Sequence, residues 1–278
     1  MSDSGFRFQP NPRHGVPGIV VLPESGFRRA SAAIASWAPP SDPAGGAIDP
    51  WIGAAHAVTR LLAAELARRG AVLAAAAVDL LAGAHAAALQ GVTIAVAGSA
   101  GFQAGVAVAA RRCGAGSVAV PTGEEHPLLL ADTAWPGFAE PPRDVMQAQR
   151  WQVAQLLSAE IPDVLVVAEG AGGLAAAAAV QIRAQKLPTK LVVAQPAGGA
   201  WMVDALAAGA LPALPPGEAS LIAWQELERS AFAALAVPAG VPGESRPDGL
   251  ALASAAARWI AGQALDGLRP GGKMRALG

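Results

Sequence analysis

Three stretches of the chain hold residue types that could do chemistry. In Gly98-Ser99-Ala100-Gly101-Phe102-Gln103 a serine hydroxyl follows an apolar run, at a glycine-bearing turn that opens onto a helical pattern. Ala97-Gly98-Ser99-Ala100-Gly101 resembles a nucleophile elbow in spacing alone, so a Ser99-dependent hydrolase is a third-ranked reading. The turn, Gly101 included, is also placed to offer N–H groups to a carboxylate. Glu169-Gly170-Ala171-Gly172-Gly173 has the same strand-to-helix setting, and Gly170, Ala171, Gly172 and Gly173 are its candidate phosphate cradle. Glu169 opposes that use, since a carboxylate ~4 Å from a phosphate repels it by a few kcal/mol at an effective dielectric of ~20. Asp132-Thr133-Ala134-Trp135-Pro136-Gly137-Phe138 sets an acid and two aromatics among turn formers. It reads equally as a pocket wall or as a loop pinned to the core by its rings.

Other chemistries find less support. His14, His56, His85 and His126 have no His, Cys or carboxylate at metal-ligand spacing, so no metal site is expected. The single cysteine, Cys113, permits no internal disulfide. A net charge of -1 supplies no basic field for nucleic acid. The N-terminus lacks the pattern of a signal peptide, and the Ala-rich stretch 71–89 carries Asp79 and His85, so a cytoplasmic protein without a membrane span is expected.

The elements that must position these residues follow from hydropathy patterning. Apolar residues make up 53% and charged residues 15%, against roughly 25% charged in average soluble chains, which excludes global disorder. Short apolar runs at Val92–Ala97, Ser117–Val120, Val164–Ala168, Leu191–Ala194 and Phe232–Val237 predict strands. Helical patterns run over Ala54–Arg69, Gln103–Cys113, Asp144–Ala159, Leu174–Gln185, Ser220–Arg229 and Leu250–Ala264. This alternation predicts an α/β fold, a mostly parallel sheet with helices on both faces. Residues 38–50 and 239–248 read as Pro/Gly-rich connections too short to link separate domains, so one domain over 1–278 is expected. Of the 20 basic residues only Lys186, Lys190 and Lys273 are lysines, and the first 185 residues hold none.

Taken in order, several strings resemble the diaminopropionate ammonia-lyase family, pyridoxal-phosphate enzymes of tryptophan synthase β-like fold. They are Phe6-Arg7-Phe8, Asn11-Pro12-Arg13, Ala54–Gly70, Thr93–Gly114, Asp132–Phe138 with Pro142–Gln147, Gly170–Leu174, Gly217–Trp224 and Gly243-Glu244-Ser245. The strings around 132–147 and 217–224 are the most specific. The resemblance implies a reduced form of that fold with a reduced small lobe at about 90–135. It also implies Asp132 as a retained catalytic carboxylate, Gly170–Gly173 as a vestigial phosphate loop, and Ser99, Gly101, Glu244 and Ser245 as further pocket residues. An active member would bind pyridoxal phosphate through a lysine and convert 2,3-diaminopropionate to pyruvate and ammonia.

The departures matter as much. Pro50 stands where the family carries that lysine, and Ser99-Ala100-Gly101-Phe102-Gln103 replaces its Asp-Gly-Asn-His-Gly turn. Glu169 replaces the first glycine of the phosphate loop, and the C-terminal strand with its hydroxyl partner for the pyridine nitrogen is expected to be missing after Leu268. The resulting expectation is a pseudoenzyme without covalently held pyridoxal phosphate, which binds a small acidic ligand or pairs with an active paralogue, as homodimer or heteromer. The alternative is an active pyridoxal-phosphate ammonia-lyase.

Overall fold

The computed structural model describes residues 5–17, 21–37, 49–70, 80, 81, 83, 86–168, 170–213, 217–239 and 249–278. The chain forms two compact units. One takes in the described residues of Met1–Val21 and Val153–Gly278, the other those of Leu22–Ser41 and Asp49–Gln152. The reduced lobe expected at about 90–135 falls within the second unit, which also takes in the described residues of 22–41 and 49–89.

The first unit is built on a five-stranded sheet of β1 (Arg7–Pro10), β5 (Val164–Ala168), β6 (Lys190–Pro196), β7 (Ala233–Val237) and β8 (Met274–Leu277), in the order β1-β7-β6-β5-β8. β5, β6, β7 and β8 are parallel, and β1 pairs antiparallel with β7. β5 and β7 are buried along their whole length, as strands covered on both faces must be. Alternate residues Val164, Val166, Ala168, Val192, Ala194, Leu235 and Val237 cluster with Ala253, Ala256 and Ile260 of the helix Gly249–Ala261. Leu165 points the other way, lining a small apolar space with Val153, Leu156 and Leu157.

β8 corrects one expectation. A C-terminal strand is present, pairing Val164 with Met274 and Val167 with Leu277, but Met274-Arg275-Ala276-Leu277 carries no hydroxyl. Its alternation is too short, and too close to Gly271-Gly272, to be recognised by hydropathy. β1 and the two-residue β4 (Leu129–Leu130) escape notice for the same reason.

The second unit holds a three-stranded parallel sheet, β3-β2-β4, with β2 at Thr93–Val96 and β3 at Gly116–Ala119. Helices α1 (Glu24–Trp37), α2 (Pro50–Arg68) and α3 (Ala100–Arg112) belong to it, and α4 (Glu140–Ala159) begins in it. Val58, Leu62 and Leu66 of α2 share one core with Ile94 and Val96 of β2 and Phe102, Val106 and Ala109 of α3. Ala95, Ala97, Leu129 and Ala131 form a second cluster, on which Trp135 and Phe138 pack.

Candidate functional site

Ser99 and Asp132 lie 33 positions apart and are brought together by strand register. β2 and β4 are parallel neighbours with Val96 opposite Leu130, so the residues just past their carboxyl ends meet. In open α/β sheets this edge is where ligands bind. The Ser99 hydroxyl donates to Asp132 Oδ2 at 2.7 Å, and the Ser99 N–H donates to the same oxygen at 3.3 Å. Thr133 Oγ1 donates to Asp132 Oδ1 at 3.2 Å. Gly98 is obligatory here: its φ is +102°, and a Cβ on it would overlap the Asp132 carboxylate.

The same hydroxyl caps α3, accepting from Phe102 N–H at 3.3 Å, and Gln103 Nε2 closes the turn on Gly98 O at 2.9 Å. Gly101 lies in the first turn of α3. Phe102 is buried and its side chain packs in the core shared by α2, β2 and α3. Ser99 therefore has a carboxylate as its proton acceptor, and no histidine hydrogen-bonds it among the described residues. The elbow-like spacing here serves a helix cap. Trp135 and Phe138 stack at 4.2 Å and bridge to each other through both backbone hydrogen bonds. Of the two readings of this loop, the pinned one describes it.

The stretch matched to the family's lysine is a helix start. Asp49 Oδ1 accepts from Trp51 N–H at 2.9 Å as the N-cap of α2, and Pro50 occupies its first turn. Both are favoured there because the first N–H groups of a helix lack internal partners.

The glycine loop belongs to the first unit, between β5 and the helix α5 (Gly173–Ala184). Gly172 caps α5 with φ +98°, and a Cβ on it would come within 3.1 Å of Ala223 and 3.4 Å of Leu227 and Trp201. Close approach to the helix α7 (Leu221–Ser230) and to Trp201 thus explains this glycine. Gly170 O accepts from Trp201 Nε1 at 2.7 Å and from Gln195 Nε2 at 3.1 Å, and Ala171 O accepts from Ser220 N–H at 2.8 Å. Sequence reasoning missed Gln195 and Trp201. Gln195 falls past the expected end of its strand, yet it is wholly buried, and its Oε1 also accepts from Met202 N–H. A glutamine directly after the apolar run Leu191–Ala194 was the available signal. Glu169, Glu244 and Ser245 lie outside the described residues.

None of the three lysines is near that loop's edge of the sheet. Gly170–Gly173 follows the carboxyl end of β5, whereas Lys190 opens β6, Lys273 directly precedes β8, and Lys186 lies in the turn leading into β6. All three stand at the amino ends of the parallel strands. Lys190 is further engaged, its ammonium 4.6 Å from the centre of the Phe232 ring and donating to Gly267 O.

His56 is buried on α2. Its Nδ1 has no partner and its Nε2 is 4.0 Å from Asp144 of α4. Burial, reinforced by Arg60 and Arg29, lowers its pKa to about 4, so the ring is neutral at pH 7 and this contact is not an ion pair. Burial raises the Asp144 carboxyl, against the pull of Arg60. His85 lies outside the described residues, as does most of the Ala-rich stretch 71–89. Among the described residues no helix is long and apolar enough to cross a membrane, and no group of three or more His, Cys, Asp or Glu could hold a metal ion.

No protein-family model matches the chain, and no curated protein matches it. Solved structures do. Diaminopropionate ammonia lyase from Escherichia coli, in complex with D-serine, superposes with a TM-score of 0.68 at 14% identity, covering 90% of this chain and 86% of that one. A pyridoxal 5'-phosphate-dependent aspartate racemase gives 0.61 at 14% identity, covering 94% and 95%. A threonine deaminase from T.th. gives 0.58 at 17% identity, covering 91% and 95%. The chain has the α/β fold of these fold type II, tryptophan synthase β-like pyridoxal-phosphate enzymes.

Proposed function

We propose that this chain is a pseudoenzyme on the diaminopropionate ammonia-lyase scaffold, one that does not hold pyridoxal phosphate covalently. The observation that carries the reading is the placement of the lysines. The cofactor's anchor in this fold must reach the carboxyl edge of the sheets, and every lysine of this chain opens the opposite edge of the five-stranded sheet. The residues present therefore do not fit the covalently bound group. The residues matched to the reactive positions have structural tasks: Asp49-Pro50 begins a helix, Ser99 caps one, and Gly172 admits another. What persists is a carboxylate, Asp132, at the edge where substrates bind in such folds, and a glycine turn before α5 suited to a small acidic ligand. Assembly with a second copy or with an active paralogue is the other role open to such a chain.

The test is direct. Protein incubated with pyridoxal phosphate, treated with borohydride and digested should yield no stoichiometrically modified lysine, and 2,3-diaminopropionate should release no pyruvate. One lysine reduced at full occupancy, together with turnover, overturns the proposal in favour of an active ammonia-lyase.

A further inference from the structure

We propose that the second unit binds a protonated phosphate group, free or on a small ester, where α1, α2 and α4 meet, held by the guanidinium groups of Arg29 and Arg60 and by the carboxylate of Asp144. Each helix contributes one charged group. Arg29 of α1 is exposed and makes no hydrogen bond or ion pair among the described residues. Arg60 of α2 is 45% exposed, and its contact with Asp144 Oδ2 is a long 3.4 Å. Asp144 of α4 keeps 24% of its side chain exposed, so solvent reaches the group. The charges of both arginines act on this carboxylate and on the neighbouring His56, which gathers them about one point. Two guanidinium groups there face one carboxylate. The other carboxylate that acts on Asp144, Glu140, is already paired with Arg143, and His56 is neutral at pH 7. The excess is one positive charge, on donor forks whose geometry suits a tetrahedral oxyanion.

Asp144 selects among anions. Its Oδ1 accepts no hydrogen bond among the described residues, and His56 Nε2 stands 4.0 Å from it, beyond hydrogen-bond range. A carboxylate oxygen in that position repels an anion that carries no proton, such as sulfate. It accepts a hydrogen bond from the P–OH of a protonated phosphate. Burial raises the Asp144 carboxyl, which makes it a stronger acceptor for that proton. The buried imidazole, being uncharged, does not take Oδ1 as an ion-pair partner. The site uses no residue of the Ser99 turn or of the glycine loop, and it is independent of the functional reading above.

Calorimetric titration of the full chain with inorganic phosphate at about pH 6 should show a single site. Its affinity should fall as pH rises and the phosphate loses its last acidic proton. Sulfate at matched ionic strength should bind at least about tenfold more weakly, the worth of one charge-assisted hydrogen bond. Glycerol phosphate in a parallel titration separates an ester from free phosphate as the source of the group. Arg29→Gln, a change on an exposed side chain without partners, should lower affinity at least about tenfold and leave the melting temperature of the unliganded protein unchanged. Asp144→Asn replaces an acceptor by a group that can also donate, so it should bind sulfate as well as phosphate and lose the pH dependence, an exchange of selectivity that damage to the fold would not produce. No binding of phosphate or its ester at millimolar concentration, or sulfate binding as tightly as phosphate to the wild type, overturns the proposal. So does wild-type affinity in Arg29→Gln, which would put the phosphate elsewhere, as on Gly170–Gly173.

Discussion

Acidification should destabilise this protein through one buried imidazole. His56 is 2% exposed, its Nδ1 is unpartnered, and the positive charges of Arg60 and Arg29 act on it. The folded pKa of about 4 lies below the 6.5 expected for an unfolded chain. Between those values the unfolded state binds a proton that the folded state refuses, so stability is complete above pH 6.5 and falls as pH drops. A shift from 6.5 to about 4, at about 1.36 kcal/mol per unit, amounts to about 3 kcal/mol. Asp144 acts with the opposite sign: its raised carboxyl favours the folded state on the acid side, near its ordinary 3.8 and just above it. Urea unfolding of wild type and His56→Met at a series of pH values isolates the imidazole, because methionine fills the site without a proton to bind. The stability difference should move by about 3 kcal/mol in favour of the variant between about pH 7 and pH 4. Curves that stay parallel over that range would refute the assignment of a neutral, desolvated ring.

Three further outcomes follow from the same contacts. Gly98→Ala should lower the melting temperature and cost more than the roughly 1 kcal/mol typical of a left-handed glycine, since it also displaces the carboxylate of Asp132 from Ser99. Gly172→Ala combines positive φ with a tight approach to Ala223, and should destabilise by about 1–3 kcal/mol in chemical denaturation. Arg183→Met leaves the buried carboxylate of Glu226 without the guanidinium that now holds both its oxygens. A loss of about 3 kcal/mol is expected, largely recovered by pairing the change with Glu226→Gln.

The sequence by itself determined the α/β class, through apolar runs such as Val164–Ala168 and Ala233–Val237 alternating with helical patterns. Both faces of such strands must be covered, so their composition is legible without neighbours. It also determined that no lysine precedes Lys186, a fact that needs no coordinates. It could not reveal β1, β4 or β8, which are too short for a period to register, nor the helices α1 and α6 (Trp201–Ala208). Pairing and tertiary burial stabilise such short pieces, not their own propensities. Only the tertiary structure set the Ser99 hydroxyl on Asp132, because contact across 33 residues depends on the register of β2 against β4. Only it assigned the three lysines to one end of a parallel sheet and the glycine turn to the other, since strand direction is a property of the assembled sheet. Residue type says what a side chain can do, while register and strand direction decide what it can reach.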